Sequence, residues 1–347
     1  MKRTFIIAEA GVNHNGREDL ALQLVDIAAA CGADAVKFQT FSADKLVARG
    51  TAKADYQAQK TSEGDQHSML KALELSDAAH QRLAQRCHEL SIEFMSTPFD
   101  EVAADMLLSL GMQRIKVPSG ELTNIPFLKV LAAKGVPLIL STGMADMQEI
   151  EQAVATVKNV WRQTDVNLAD DALTVLHCTS NYPAHYKDVN LRAMQTIGQT
   201  LSVPMGYSDH TLGIAVSTAA VALGATVIEK HFTIDKNMSG PDHSASLNPD
   251  ELKAMIDSIR AVEQCMGSPI KAPTETELPI RALVRRSVTL VRDVVAGQTI
   301  GLDDLTLLRP GTGIAPADLD RVPGKQAARS MMAGTTLNWA DLTPCER

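Results

Sequence analysis

The chain has 347 residues, 45% of them hydrophobic and 21% charged, and carries a formal net charge of −8. That composition excludes a disordered or fibrous chain, and the acidic balance excludes a general nucleic-acid or anionic-membrane binder, which needs an excess of Lys and Arg. A small anionic substrate stays open, because a few focused cations hold one. Length alone allows two domains of ~150 residues, or one α/β barrel of ~250 with an extension.

The opening MKRTFIIAEAGVNHNG has a basic tip but only a short apolar run before Glu9, which is not the pattern of a signal peptide. No stretch reaches the ~18 to 20 apolar residues of a membrane span. The cysteines, Cys31, Cys87, Cys178, Cys265 and Cys345, are scattered and form no CxxC pair, so they read as reduced, mostly buried thiols. A cytoplasmic chain is expected.

Eight short runs follow in order: Phe5–Gly11, Ala35–Thr40, Ile92–Phe99, Arg114–Gly120, Pro137–Gly143, Leu173–Thr179, Val203–Asp209 and Val227–Thr233. Segments with helical periodicity lie between them, such as Asp19–Ala30, Glu101–Leu110, Met147–Val160 and Ala215–Leu223. Strands alternating with helices predict a parallel sheet, and eight such units predict a closed (β/α)8 TIM barrel. Phe41–Ala78 is too long for an ordinary βα loop and reads as a lid or extra helices over the mouth. After Met266 the texture changes. The boundaries read as a barrel over 1–266, a Pro/Thr/Glu-rich linker over 267–282 and a small β-rich domain over 283–347.

Each run ends on polar residues, and in a barrel that end carries the active site. His210 and His231 end the seventh and eighth runs and are candidate ligands for a divalent metal, with Asp209, Glu229 and Asp242 near them in sequence. His177 is a third candidate, which a structural role, or one holding a metal ligand in place, would explain as well. His67, His80, His88, His185 and His243 fall in predicted helices or loops and are expected to be solvated. Lys37 and Lys116, on strands two and four, are costly inside a barrel unless they meet an anion. With Thr97, Ser119, Ser141, Ser180 and Ser208 they form a cradle for phosphate or carboxylate. Ion pairs with Glu9 and Glu121 would satisfy the same lysines, and a Schiff-base lysine is a rival chemistry. Glu9 and Glu121 are candidate acid and base. Gly311–Gly313 reads as a tight turn presenting Arg309.

The motifs IIAEAGVNHNG, AVKFQTF, STPFD, IKVPSGE, LSTGM, HCTSNYPA, GYSDHTLG and EKHFT resemble, in order, those of bacterial sialic acid synthases. The tail RRSVTLVRDVVAGQTI…DLTLLRPGTGI is similar to their antifreeze-like (SAF, β-clip) domain. The resemblance implies metal-assisted condensation of phosphoenolpyruvate with open-chain N-acetylmannosamine and water, giving N-acetylneuraminate and phosphate with C–O cleavage. The alternatives it allows are a 2,4-diacetamido-2,4,6-trideoxymannose, giving legionaminic acid, and a pseudaminic acid precursor; Lys53–Ser76 resembles sialic and legionaminic acid synthases more than pseudaminic acid synthases. By motif position, Lys37, Thr97, Lys116, Ser119, Ser141, Ser180 and Ser208 hold phosphoenolpyruvate, and Gln39, Tyr182 and Asp242 face the sugar. His210 and His231 hold manganese or magnesium, with cobalt a further option. Glu9 and Glu121 are then the acid/base pair, Glu121 activating the water, while Lys37 and Lys116 stabilise the phosphate and carboxylate charges. The resemblance also implies a domain-swapped homodimer in which Arg309 contacts the N-acetyl group in trans. Ser180 departs from the pattern, standing where some relatives have Asn. A tail resembling type III antifreeze proteins also raises ice or carbohydrate binding as a non-enzymatic reading.

Overall fold

The structure, a computed structural model, describes residues 3–61, 64–169 and 171–343; Cys345 lies outside them. The chain divides into two compact units, Met1–Gly267 and Ser268–Arg347.

In the first unit the parallel strands are β1 (Phe5–Gly11), β2 (Ala35–Thr40), β3 (Glu93–Pro98), β4 (Ile115–Val117), β5 (Leu138–Ser141), β6 (Leu173–Cys178), β7 (Met205–Asp209) and β8 (Val227–His231). Their hydrogen-bonded order is β3-β2-β1-β8-β7-β6-β5-β4, and β3 and β4 lie side by side at the remaining seam. The result is a nearly closed (β/α)8 barrel. β4 is shorter than its sequence run because Pro118 has no N–H to give a ladder, and the chain turns at once into a 3-10 segment, Ser119–Glu121.

Helix α1 (Glu18–Cys31) follows β1. Three short helices, α2 (Ala43–Leu46), α3 (Asp55–Lys60) and α4 (Gln66–Lys71), fill the long β2 connection before α5 (Asp77–Glu89). Then come α6 (Glu101–Ser109), α7 (Ile125–Ala133), α8 (Met147–Gln163), α9 (Arg192–Leu201), α10 (Ala215–Ala222) and α11 (Pro249–Cys265). Local signals set their starts. Asp146 and Glu149 form a reciprocal capping box on α8, and Asn248 and Glu251 do the same on α11, with Pro249 in the first turn.

The strand period of two sorts the side chains. Ile6, Val36, Phe38, Ile115, Leu140, Val175 and Ile228 face outward into one core with Leu24, Leu83, Leu107, Leu131 and Ile256 from the helices. Ile7, Ala35, Met95, Ile139, Leu176 and Val227 face inward as a separate apolar plug. Each such Leu or Ile is worth roughly 2 kcal/mol of burial. Two residues further along β1, β2, β3, β5 and β8, the inward side chains become Glu9, Lys37, Thr97, Ser141 and Glu229. The apolar plug is therefore the floor on which a polar mouth stands.

In the second unit, α12 (Glu277–Val284) occupies the end of the stretch expected to be a linker, and its Leu278, Ile280 and Leu283 stay exposed. β9 (Ser287–Leu290) pairs antiparallel with β10 (Leu305–Leu308), and β11 (Gln326–Ala327) with β12 (Leu342–Thr343). A small core of Val288, Leu290, Ile300, Ile314, Val322 and Leu337 lies among them. Gly313 is required by close approach, since a Cβ there would stand 2.3 Å from the Leu337 carbonyl oxygen. Arg309 is exposed on this unit. No helix among the described residues is long and apolar enough to cross a membrane.

Candidate active site

The C-terminal ends of the strands surround a cavity of about 420 Å³. Its wall includes Glu9, Lys37, Gln39, Thr97, Lys116, Ser119, Ser141, Ser180, Tyr182, Ser208, His210 and His231, which were all named from the sequence. Glu229 also lines it, and Gln57 and Gln66 enter from the β2 connection.

Four charges lie buried at the base. Lys37 Nζ donates to Thr97 Oγ1 at 2.9 Å and makes an ion pair with Glu9, and it stands 3.7 Å from Glu229 Oε2. Lys116 Nζ and Ser208 Oγ both donate to Glu229 Oε1, at 3.1 and 2.9 Å. Glu229 thus bridges the two lysines. Burial alone would lift its pKa, and Lys116 and Lys37 reverse that, holding it below the usual carboxylate range. Burial pushes Glu9 up to about 7, with Lys37 opposing the rise and Glu229 adding to it. Lys37 is raised despite its burial, because Glu229 and Glu9 face it. A buried ionic cluster of this kind is seldom more stable than apolar packing of the same volume, so its presence at a cavity base marks a ligand-handling site.

Above the lysines, Gly143 N donates to Ser119 Oγ at 2.9 Å. A Cβ at Gly143 would stand 2.1 Å from Ser180 Oγ and 2.9 Å from Ser119 Oγ. The missing side chain is what lets the two hydroxyls converge there, forming a cradle suited to phosphoryl or carboxylate oxygens.

On the opposite strands the His210 and His231 rings have centroids 5.4 Å apart, and Tyr182 lies 4.0 Å from the His210 ring. His210 Nδ1 donates to the Thr179 carbonyl at 2.8 Å, which leaves its Nε2 lone pair available. His231 Nδ1 is buried without a hydrogen-bond partner. Gly11, at φ +51°, permits this packing, since a Cβ there would press on Glu9 Oε1 and His231 Cε1 at 3.2 Å each. No group of three or more His, Cys, Asp or Glu side chains converges as a metal site among the described residues.

Three expectations need correction. Glu121 is half-buried in the 3-10 turn, where its Oε2 accepts from Asn124, and it does not line the cavity. The carboxylate that meets the lysines opposite Glu9 is Glu229. Asp242 is buried with its Oδ2 3.9 Å from His231 Nδ1, beyond hydrogen-bond distance, and it is not among the residues lining the cavity. His80 and His243, expected in solvent, are buried: His80 bonds Thr40, and His243 bonds Thr233 and Asn15. His177 points outward and pairs with the Val189 carbonyl at 2.7 Å. His14, unremarked in the sequence, is also fully buried. Glu229 had a signal in the sequence: it shares a strand face with His231, two residues away, while Lys230 turns outward to Asp209.

The NeuB family matches residues 24–271, and the SAF domain matches residues 285–343. The chain belongs to the NeuB family. It is 56% identical over 336 residues to the N,N'-diacetyllegionaminic acid synthase of Legionella pneumophila, covering 96% of this chain and 93% of that one. It is 46% identical over 332 residues to the N,N'-diacetyllegionaminic acid synthase of Campylobacter jejuni, covering 95% and 97%. Among solved structures, the N-acetylneuraminic acid synthetase of Leptospira borgpetersenii, in complex with citrate, superposes with a TM-score of 0.70 at 33% identity, covering 80% of this chain and 90% of that one. This NeuB-family chain is therefore an enzyme of the sialic-acid-synthase type, with a barrel and a SAF domain in the expected order.

Proposed function

We propose that this chain condenses phosphoenolpyruvate with 2,4-diacetamido-2,4,6-trideoxymannose and water to give N,N'-diacetyllegionaminic acid and phosphate. The observation that carries the chemistry is the Lys37–Glu229–Lys116 bridge beneath a serine cradle, beside two imidazoles on adjacent strands. The choice of sugar rests on the two relatives named for that product, and it reverses the order drawn from the sequence, which put N-acetylmannosamine first.

In this reading Lys37, Lys116, Thr97 and Ser208 hold the carboxylate end of phosphoenolpyruvate, and Ser119, Ser141, Ser180 and the Gly143 N–H hold its phosphate. Its methylene carbon forms the new C–C bond at the sugar aldehyde, whose oxygen takes up a proton. Water adds at C2, and the C2–O bond then breaks to release phosphate and leave the keto group. Glu9 and Glu229 are the carboxyl groups placed to move these protons. Glu9 pairs with Lys37 and is the freer of the two, whereas Glu229 accepts from Lys116 and Ser208 and also faces Lys37 at 3.7 Å. Gln39 and Tyr182 face the sugar.

His210 and His231 fit a divalent ion, manganese, magnesium or cobalt: one ring is fixed through Nδ1 and the other has an unpartnered buried nitrogen. When bound, such an ion supplies Lewis acidity for a carbonyl oxygen. A Schiff-base aldolase fits less well, because it needs a neutral amine, whereas Lys37 is ion-paired and raised. Arg309 acting in trans within a swapped homodimer belongs to the same proposal. The small core of the second unit and the exposed apolar residues of α12 support it. Mixing inactive Arg309→Ala and His231→Ala chains would restore activity if it is correct, and would not otherwise.

The test is phosphate release from phosphoenolpyruvate with the diacetamido sugar, with N-acetylmannosamine, and with no sugar. Turnover with the diacetamido sugar at the higher kcat/KM is expected. Release without any sugar, or none with either, would overturn the reading.

A further inference from the structure

The cavity changes character from base to rim. Its base is ionic, with Lys37, Lys116, Glu9 and Glu229 on the strands. Gln39 lies two residues beyond Lys37 on the same face of β2, about 6–7 Å nearer the mouth. The rim then gains two more carboxamides, Gln57 on α3 and Gln66 on α4. Both come from the β2 connection, which the barrel itself does not need.

We infer that Gln57 and Gln66 recognise the second acetamido group of the sugar and so set the preference for a diacetamido over a monoacetamido substrate. The inference rests on the proposed function above and deepens it. A carboxamide offers two donors and one acceptor without charge. It therefore matches an acetamido group, and it does not compete with the base for the phosphate and carboxylate of phosphoenolpyruvate. Gln57 Oε1 already accepts from Ala54 N at 3.1 Å, which fixes the amide and leaves its NH2 to donate to an acetamido carbonyl. Gln66 is the first helical residue after its N-cap Asp65, whose carboxylate bonds Ser68 N and Gly50 N. The backbone that carries Gln66 is thus held independently of its side chain. Phe99, packed edge-on against Phe41 at 5.9 Å, adds an apolar wall to the same cavity, which suits a deoxygenated C6 better than a hydroxymethyl group.

A pocket with donors and acceptors placed for one substrate amide loses discrimination when they are removed. The test is kcat/KM for the diacetamido sugar and for N-acetylmannosamine, at saturating phosphoenolpyruvate, in the wild type, Gln57→Met and Gln66→Met. The ratio of the first kcat/KM to the second is expected to fall by about tenfold in each variant, while KM for phosphoenolpyruvate stays near the wild-type value. A purely structural role would weaken both sugars equally and leave the ratio unmoved, and that result overturns the inference. Gln66→Met removes no cap, so it remains informative if Gln57→Met disturbs α3. Failure of the wild type on both sugars would instead overturn the proposed function, and this inference with it.

Discussion

Replacing Glu229 with Gln should make the protein less stable and at the same time more responsive to phosphoenolpyruvate. The carboxylate stands 3.1 Å from Lys116 Nζ and 3.7 Å from Lys37 Nζ, all three groups being buried. Lys37 keeps Glu9 in the variant, whereas Lys116 loses the one ion pair it makes among the described residues. Removing one partner of a buried pair costs about 3–5 kcal/mol. The amide can still accept a hydrogen bond, which puts Glu229→Gln near the lower end, about 3 kcal/mol. For a domain of this size that corresponds to a fall in Tm of about 6–12 °C. An anionic ligand returns negative charge to the lysines, so saturating phosphoenolpyruvate should raise Tm more in the variant than in the wild type. Calorimetry with and without phosphoenolpyruvate measures both quantities. An unchanged Tm, or a ligand shift no larger than that of the wild type, would refute the bridging role of Glu229.

Acid should destabilise the barrel through two buried histidines. Burial lowers His14 and His243 to about 4 each, below the unfolded value near 6.5. The folded state resists a proton that the unfolded chain accepts, so this stability is complete above pH 6.5 and lost as pH falls through about 4. The loss is up to about 3 kcal/mol for His14 and smaller for His243, and His14→Gln should flatten Tm against pH across that window. Gly143→Ala should raise KM for phosphoenolpyruvate about tenfold or more while leaving the circular dichroism unchanged, because the new methyl displaces the Ser180 and Ser119 hydroxyls. Elemental analysis should find one divalent ion per chain after loading with manganese, and less than a tenth of that in His231→Ala. Equal loading of the two proteins would remove the histidines from a metal role.

Much of the site was legible because a parallel barrel converts strand position directly into location. Lys37, Thr97 and Ser141 each lie in the C-terminal part of a run or beside it, and parity turns each inward onto the cavity, two residues beyond Ala35, Met95 and Ile139 of the apolar plug. The reading failed where parity stopped applying. Pro118 ends β4, so Glu121 belongs to a turn, and counting along the strand could not place it. Glu229 was read only as a carboxylate near the two histidines, and its pairing with Lys116 and Lys37 from other strands shows only in the fold. His80 shares the buried face of α5 with Leu83 and Cys87 at helical spacing, so its burial had a period to read and was missed because a histidine was taken as polar. His243 sits in a short 3-10 segment after β8, which carries none. Gln57 and Gln66 sit in helices too short to leave a pattern, and only the fold brings them to the rim.

The central claim is that this site joins phosphoenolpyruvate to a diacetamido sugar with cleavage of the C–O bond. It is tested most directly with phosphoenolpyruvate carrying ¹⁸O in the bridging position and 2,4-diacetamido-2,4,6-trideoxymannose, followed by mass spectrometry of both products. The account predicts a nine-carbon keto acid without the label and inorganic phosphate that carries it. Label retained in the keto acid, or no keto acid formed, would contradict it.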